Sequence, residues 1–393
     1  MGVPGLQAPW RRPMDGRDPK EGHRASTPLE LLFDLCFVVA VAQAAAQLAH
    51  GIEEGHAPAA VAGFAMVFFA IWWAWMSFTW FASAYDTDDG PFRLLTLLQM
   101  TGALILAAGV PAALNEYDFT VATIGYAVMR IPMVLQWLRA AREHPEGRQT
   151  AQRYAIGITV VQVLWLLRLL LPHPLDYVAF VVLAFAEVAT PVWADRTRAI
   201  SWHPEHIAER YGLFTIIVLG EVILASTMAF QSAMASGLSI QLILVAAGGL
   251  LLMFGTWWSY FLGGDEHGLR SGRVVRTWAY GHSLLFASIA ALGPGLEVAV
   301  LVAEHRAHVA PLAAGYAVAV PAALGLLLGL FLRRLVWPKG TLAPSLVLAG
   351  AVLLLLCPLL APAAGIGVAV LVMGLIPAAA LAVFLRLRHA EAG

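Results

Sequence analysis

Residues 30–43 read ELLFDLCFVVAVAQ, and far along the chain residues 209–225 read ERYGLFTIIVLGEVILA. Each stretch is apolar enough for hydrocarbon, yet the first carries Glu30 and Asp34 one helical turn apart and the second carries Glu209 and Glu221. A charge at the bilayer centre costs roughly 2.5–3.5 kcal/mol even on a lenient insertion scale. Carboxylates placed this way face protein, water or one another rather than lipid. Whether the chain is a membrane scaffold or contains a polar pathway turns on what they meet.

The 393 residues are 60% hydrophobic and 12% charged, about half the charged share of a soluble domain. A net charge of −1 and no aromatic-basic interleaving exclude a nucleic-acid partner. Cys36 and Cys357 lie far apart in apolar runs and read as small buried hydrophobes rather than as a disulfide framework. No phosphate loop, nucleophile elbow or zincin helix occurs, so no cofactor is expected. His203, Glu205, His206 and Glu209 have ligand-like spacing, but Pro204 interrupts them and no metal is assigned.

A bilayer core takes about 20 apolar residues per helix. That ruler predicts an all-α, polytopic transmembrane bundle of about 12 spans, near 29–50, 59–84, 93–114, 119–141, 153–172 and 176–195, then 207–228, 238–262, 273–295, 309–333, 341–359 and 365–387. Residues 1–28, polar and rich in Pro and Gly, read as a disordered cytoplasmic tail. Arginines gather in alternate loops, at Arg139–Arg153, Arg196–Arg210, Arg270–Arg276 and Arg333–Arg334. The opposite loops hold Glu53, Glu54, Glu116, Asp118, Asp176, Glu297 and Glu304. The positive-inside rule then places both termini in the cytoplasm of a cell-membrane protein, as an even span count requires.

The chain also echoes itself. Glu30 and Glu209 open spans one and seven, and Asp86 and Asp265 follow spans two and eight at the same offset of 179 positions. Before those aspartates run WWAWMSFTWFASAYDTDD (72–89) and TWWSYFLGGDEH (256–267), and GYAV occurs at 125–128 and again at 315–318. Ordered matches predict two parallel six-helix repeats, residues 29–200 and 201–393, one of the repeat plans of transporters.

Several polar groups need an explanation in hydrocarbon. Glu30, Asp34, Arg130, Glu187, Glu221 and His282 form the candidate polar pathway. Arg130 is expected to pair with Glu221 or Glu187. Glu30 doubles as a helix-start residue, with Ser26 or Thr27 as cap. Arg168, near a span end, is placed to snorkel. Trp72, Trp73, Trp75, Trp80, Trp257 and Trp258 read as interfacial anchors. Asp86, Asp88 and Asp89, with Asp265 and Glu266, form a cytoplasmic acidic cluster, suited to a solvated loop or to a divalent cation on a polyphosphate.

These features together resemble the bacterial low temperature requirement A family of multi-pass membrane proteins. The likeness rests on residues 30–43, on residues 209–225 and on the aspartate closing span two, and covers about residues 27–385. It implies family positions at Glu30, Phe33, Asp34, Asp86, Glu209, Gly212, Gly220 and Glu221, and supports the fold rather than a mechanism. Weaker is the likeness to endolysosomal-type potassium channels, because Phe33-Asp34 lacks the serine of their first-helix signature. Three functions stay open: a transporter or channel for a small solute or cation, an enzyme acting on a lipid or isoprenoid, and a non-catalytic sensor or stress component. The bilayer is the expected environment in each.

Overall fold

The computed structural model describes residues 10–18, 25–235, 237–262, 269, 272–337 and 343–392. Among them all regular structure is helical, because a chain in hydrocarbon must satisfy its backbone polar groups within each segment. The α-helices are α1 (Pro28–Glu53), α2 (Ala57–Tyr85), α3 (Gly90–Asn115), α4 (Thr120–Glu143), α5 (Arg148–Arg168), α6 (Leu175–Ala194) and α7 (Pro204–Met234). They continue as α8 (Ile240–Phe261), α9 (Gly272–Ala303), α10 (Pro311–Val336), α11 (Pro344–Leu356), α12 (Ala361–Ala364) and α13 (Ile366–Ala392). A 3-10 turn, Cys357–Leu360, joins α11 to α12, so Pro344–Ala364 acts as one interrupted span.

Among the described residues, eleven stretches are long and apolar enough to cross a bilayer. The expected span at 153–172 is not among them. It is α5, which starts earlier and carries Arg148, Arg153 and Arg168 with three glutamines; of these six side chains only Gln162 and Arg168 are buried.

Contacts group the chain into two compact units, residues 1–43 with 67–211 and residues 44–66 with 212–393. The division runs inside α1, α2 and α7.

In the first unit α3 packs along α4, α4 along α5 and α5 along α6. Glycines set the closest approach. A Cβ on Gly102 would lie 2.6 Å from the Met129 backbone nitrogen and 2.7 Å from the Gly125 carbonyl oxygen, so only glycine fits there. Phe33 is buried and stacks on Phe78, with centroids 4.0 Å apart, which seats α1 against α2. The segment expected to be a disordered tail is packed over residues 10–18. Met14 is fully buried, the Arg17 amide donates to the Ala84 carbonyl, and the Gly90 amide donates to that of Trp10.

In the second unit α8 packs on α13 and α9 on α10. Small residues again permit it, since a Cβ on Gly374 would sit 2.5 Å from the Gly248 carbonyl oxygen.

Gly102→Ala is expected to force α3 from α4 and cost about 1–3 kcal/mol, the range for overpacking. Gly220→Ala serves as control, because a Cβ there meets nothing within 4 Å. Thermal unfolding in detergent should show a lowered midpoint for the first variant and none for the second.

Candidate functional site

The first unit contains two separate buried clusters of charge, one at the starts of α1 and α7 and one shared by α2, α4, α5 and α6. At the first, Thr27 and Glu30 form a capping box. The Thr27 amide and hydroxyl donate to Glu30 Oε2 at 2.8 and 3.1 Å, and the Glu30 amide donates to Thr27 Oγ1 at 3.3 Å. That fixes the carboxyl so that Oε1 points at α7, 3.0 Å from His206 Nε2 and 3.6 Å from Arg210 Nη1. One turn on, Asp34 Oδ1 accepts from Arg210 Nη2 at 2.6 Å and from the Trp75 indole at 2.7 Å. Thr79 Oγ1 accepts a longer bond from Arg210, at 3.3 Å.

Glu30, Asp34, His206 and Arg210 are all fully buried, and Asp34 Oδ2 has no hydrogen-bond partner among the described residues. Beside them Glu209 Oε1 accepts from the Ser26 amide at 3.2 Å, holding the chain that enters α1. The four side chains are two carboxylates, one guanidinium and one imidazole.

The second cluster is built differently. Glu187 of α6 accepts from four side chains: the Trp73 indole (2.7 Å), Arg130 (3.0 Å), the Tyr126 hydroxyl (2.8 Å) and the Trp165 indole (3.3 Å). Arg130 also donates to the Tyr126 hydroxyl. One carboxylate meets one guanidinium and both oxygens are saturated, which is the condition a buried pair needs to persist. Of the two partners expected for Arg130, Glu187 is the one it has.

Glu221 lies in the second unit, half-buried, with no hydrogen bond or ion pair to a described residue. His282, in the same unit, is buried with Nδ1 2.7 Å from the Trp278 carbonyl and Nε2 3.2 Å from the Tyr260 hydroxyl. A carbonyl only accepts, so Nδ1 carries a proton.

Other expectations change with the geometry. Arg168 does not snorkel. Its Nε donates to the Asp176 carbonyl at 2.9 Å, and the guanidinium lies 4.7 Å from the Phe119 ring centroid. Trp73 and Trp75 are not interfacial anchors but buried donors to Glu187 and Asp34, and Trp80 donates to the Tyr211 hydroxyl at 3.2 Å. Trp257 and Trp258 are exposed.

The acidic cluster is taken up locally. Asp86 Oδ1 accepts from the Asp88 amide, Asp88 pairs with Arg93, and Asp89 caps α3 through the Phe92 amide. Asp89 also binds Arg139 at 2.6 Å and the Arg12 amide at 2.8 Å. Burial by itself would raise its pKa. Hydrogen bonds from Arg139, Arg12 and Phe92, with the Arg139 charge, outweigh that and bring it down to about 2. Asp265 and Glu266 lie outside the described residues. Among those described, no three His, Cys, Asp or Glu side chains converge as a metal-ligand set.

Sequence reasoning missed Arg210 as a site residue and read it only as a loop charge. A signal was present: His206 and Arg210 are four apart, as Glu30 and Asp34 are, so each pair occupies one helix face.

A profile of the family described as bacterial low temperature requirement A protein matches residues 25–380. The chain belongs to this family. Both motif helices, and all of the clusters in the first unit except the Arg11–Met14 contacts, fall inside the match. An uncharacterised protein of Rhizobium meliloti (strain 1021) is 30% identical over 253 residues, covering 62% of this chain and 59% of that protein. The match thus spans about three fifths of that relative's length.

Two outcomes follow for the paired acids. Glu187→Gln leaves Arg130 buried without its counter-charge and should cost about 3–5 kcal/mol, read as a lowered unfolding midpoint in detergent. For Asp89 the folded pKa lies below the unfolded value of about 4, so its stabilisation is full above that value. It disappears as pH falls from about 4 towards 2. Acid titration of stability should therefore be steeper in that window for the wild type than for Asp89→Asn.

Proposed function

We propose that the protein is a transporter or channel for a small solute or cation, with the coupling or permeating charge held at Glu30, Asp34, His206 and Arg210. One observation carries this reading: two carboxylates, an imidazole and a guanidinium meet in a completely buried cluster, and one oxygen of Asp34 has no hydrogen-bond partner among the described residues. A carboxylate oxygen without a donor in a low-dielectric interior is costly. It is relieved by a proton or by a small cation. Reversible uptake of one such charge at a buried site is what coupled transport or conduction needs. The Glu187–Arg130 pair, already balanced and saturated, holds helices of the first unit in place; Glu221 and His282 are the polar candidates of the second unit.

The architecture is read with it. Arginine-rich loops put both termini in the cytoplasm. The α3–α4 and α9–α10 pairings join the third span to the fourth in each set of six, which supports two parallel repeats. The starts of α1 and α7, where the cluster sits, are equivalent places in that repeat.

The test is potassium and proton flux into proteoliposomes of purified protein. Asp34→Asn removes the carboxylate charge while keeping shape, and its unfolding midpoint in detergent checks that it folds. Its flux should fall by about tenfold or more, as expected for loss of a group that carries the charge. Flux equal to wild type in that variant, or none from well-folded wild type under either gradient, overturns the proposal.

A further inference from the structure

Asp34 and Glu187 are both buried carboxylates that accept from an indole and an arginine, yet their oxygens are used differently. Glu187 spreads its donors, with Trp73 and Arg130 on Oε2 and Tyr126 and Trp165 on Oε1. In Asp34 both donors go to Oδ1, Arg210 Nη2 at 2.6 Å and the Trp75 indole at 2.7 Å. Oδ2 has no hydrogen-bond partner among the described residues, and the residue is 0% exposed, so bulk water does not replace the missing donor. Three helices supply the groups around it. α2 presents Trp75 and also Thr79, whose Oγ1 accepts from Arg210 at 3.3 Å. α7 presents Arg210, while His206 faces Glu30 at 3.0 Å and Glu209 holds the Ser26 amide at 3.2 Å. On α1 itself Glu30 lies one turn back, its Oε2 bound by Thr27 and its Oε1 3.6 Å from Arg210 Nη1.

We infer, resting on the reading of this cluster as the charge-carrying site, that the charge is a proton taken up on Asp34 Oδ2 and not a metal cation. A metal cation that leaves water exchanges its hydration shell for several oxygens, as in calcium sites and the carbonyl rings of potassium filters. Asp34 Oδ2 is one oxygen. The two groups bonded to its carboxyl are N–H donors, and one of them is a guanidinium that repels a second cation at short range. Among the described residues no three His, Cys, Asp or Glu side chains converge to complete a shell. A proton needs a single lone pair. It forms one O–H bond at Oδ2 with a proton delivered from water, and release to water breaks the same bond, so no other reactant is consumed. The product is a neutral hydroxyl, which costs far less to bury than a charged oxygen. Arg210 keeps a carboxylate partner in Glu30 when Asp34 is neutral.

The experiment uses full-length protein in a detergent without carbonyl groups, in buffers free of potassium and sodium. Infrared difference spectra are taken between alkaline and acidic conditions. Acidification should bring up the C=O stretch of a protonated carboxyl, with a component that shifts when the protein contains carbon-13 aspartate. Asp34→Asn should lose that component, and added potassium or sodium should leave it in place in the wild type. Where Asp34→Asn does not fold, Asp34→Glu takes its place, and the component should then follow carbon-13 glutamate. In vesicles without metal cations a pH gradient should dissipate through the wild type, and roughly tenfold more slowly through Asp34→Asn. No Asp34 component at either pH, or its loss on adding potassium or sodium, overturns the inference. Potassium flux that depends on Asp34 but moves no protons also overturns it, and leaves the transport reading standing. An Asp34 component with no flux of any ion supports proton uptake there and overturns the transport reading instead.

Discussion

A carboxylate taken out of water has to be met by donors and by opposite charge, and the arrangement of the first unit follows from that requirement. Asp34, Glu187 and Asp89 each sit beside an arginine that comes from another helix: Arg210 of α7, Arg130 of α4 and Arg139 of α4. Each pair therefore ties two helices at a defined rotation about their axes. Apolar packing in a bilayer gives little preference of that kind, because lipid competes equally well for a leucine. The ion pairs set which face each helix turns inward.

α2 is central because it supplies the neutral donors. Trp73 and Trp75 are two residues apart, and so point to opposite sides of a helix with 3.6 residues per turn. One indole goes to Glu187 and the other to Asp34. The aromatic run that resembles an interfacial belt thereby supplies internal hydrogen-bond donors through Trp73 and Trp75, and farther along α2 Phe78 stacks on Phe33. The two carboxylates nevertheless differ in kind. Glu187 is saturated and balanced, whereas Asp34 keeps one oxygen unbonded among described residues and shares its arginine with Glu30. The two sites thus differ in how many donors meet each carboxylate.

Much of the fold was legible from composition. Uniform apolar runs of the right length admit few structures besides membrane helices, and the Thr27–Glu30 capping box was readable because it is local, four residues in one turn. The burial of Asp34, Arg130 and Glu187 was likewise readable from its cost in lipid. The roles of Trp73, Trp75 and Arg168 were not. An indole at a helix end has the same sequence signature whether it meets head groups or a buried acid. Arg168 near a span terminus reads as a snorkelling side chain until Phe119 and Asp176 are seen around it.

The sequence by itself determined that the chain spans a membrane as a helical bundle, that it resembles the low temperature requirement A family, and that certain charges are internal. These depend on terms summed along one segment: hydropathy, helix-start chemistry and the penalty for charge in hydrocarbon. Tertiary structure alone decided that Arg130 takes Glu187 rather than Glu221, that His206 and Arg210 face Glu30 and Asp34, and that residues 10–18 pack instead of trailing free. Those outcomes depend on the relative rotation and depth of helices far apart in the chain. No local energy term encodes such a rotation; it is set when the buried charges find one another.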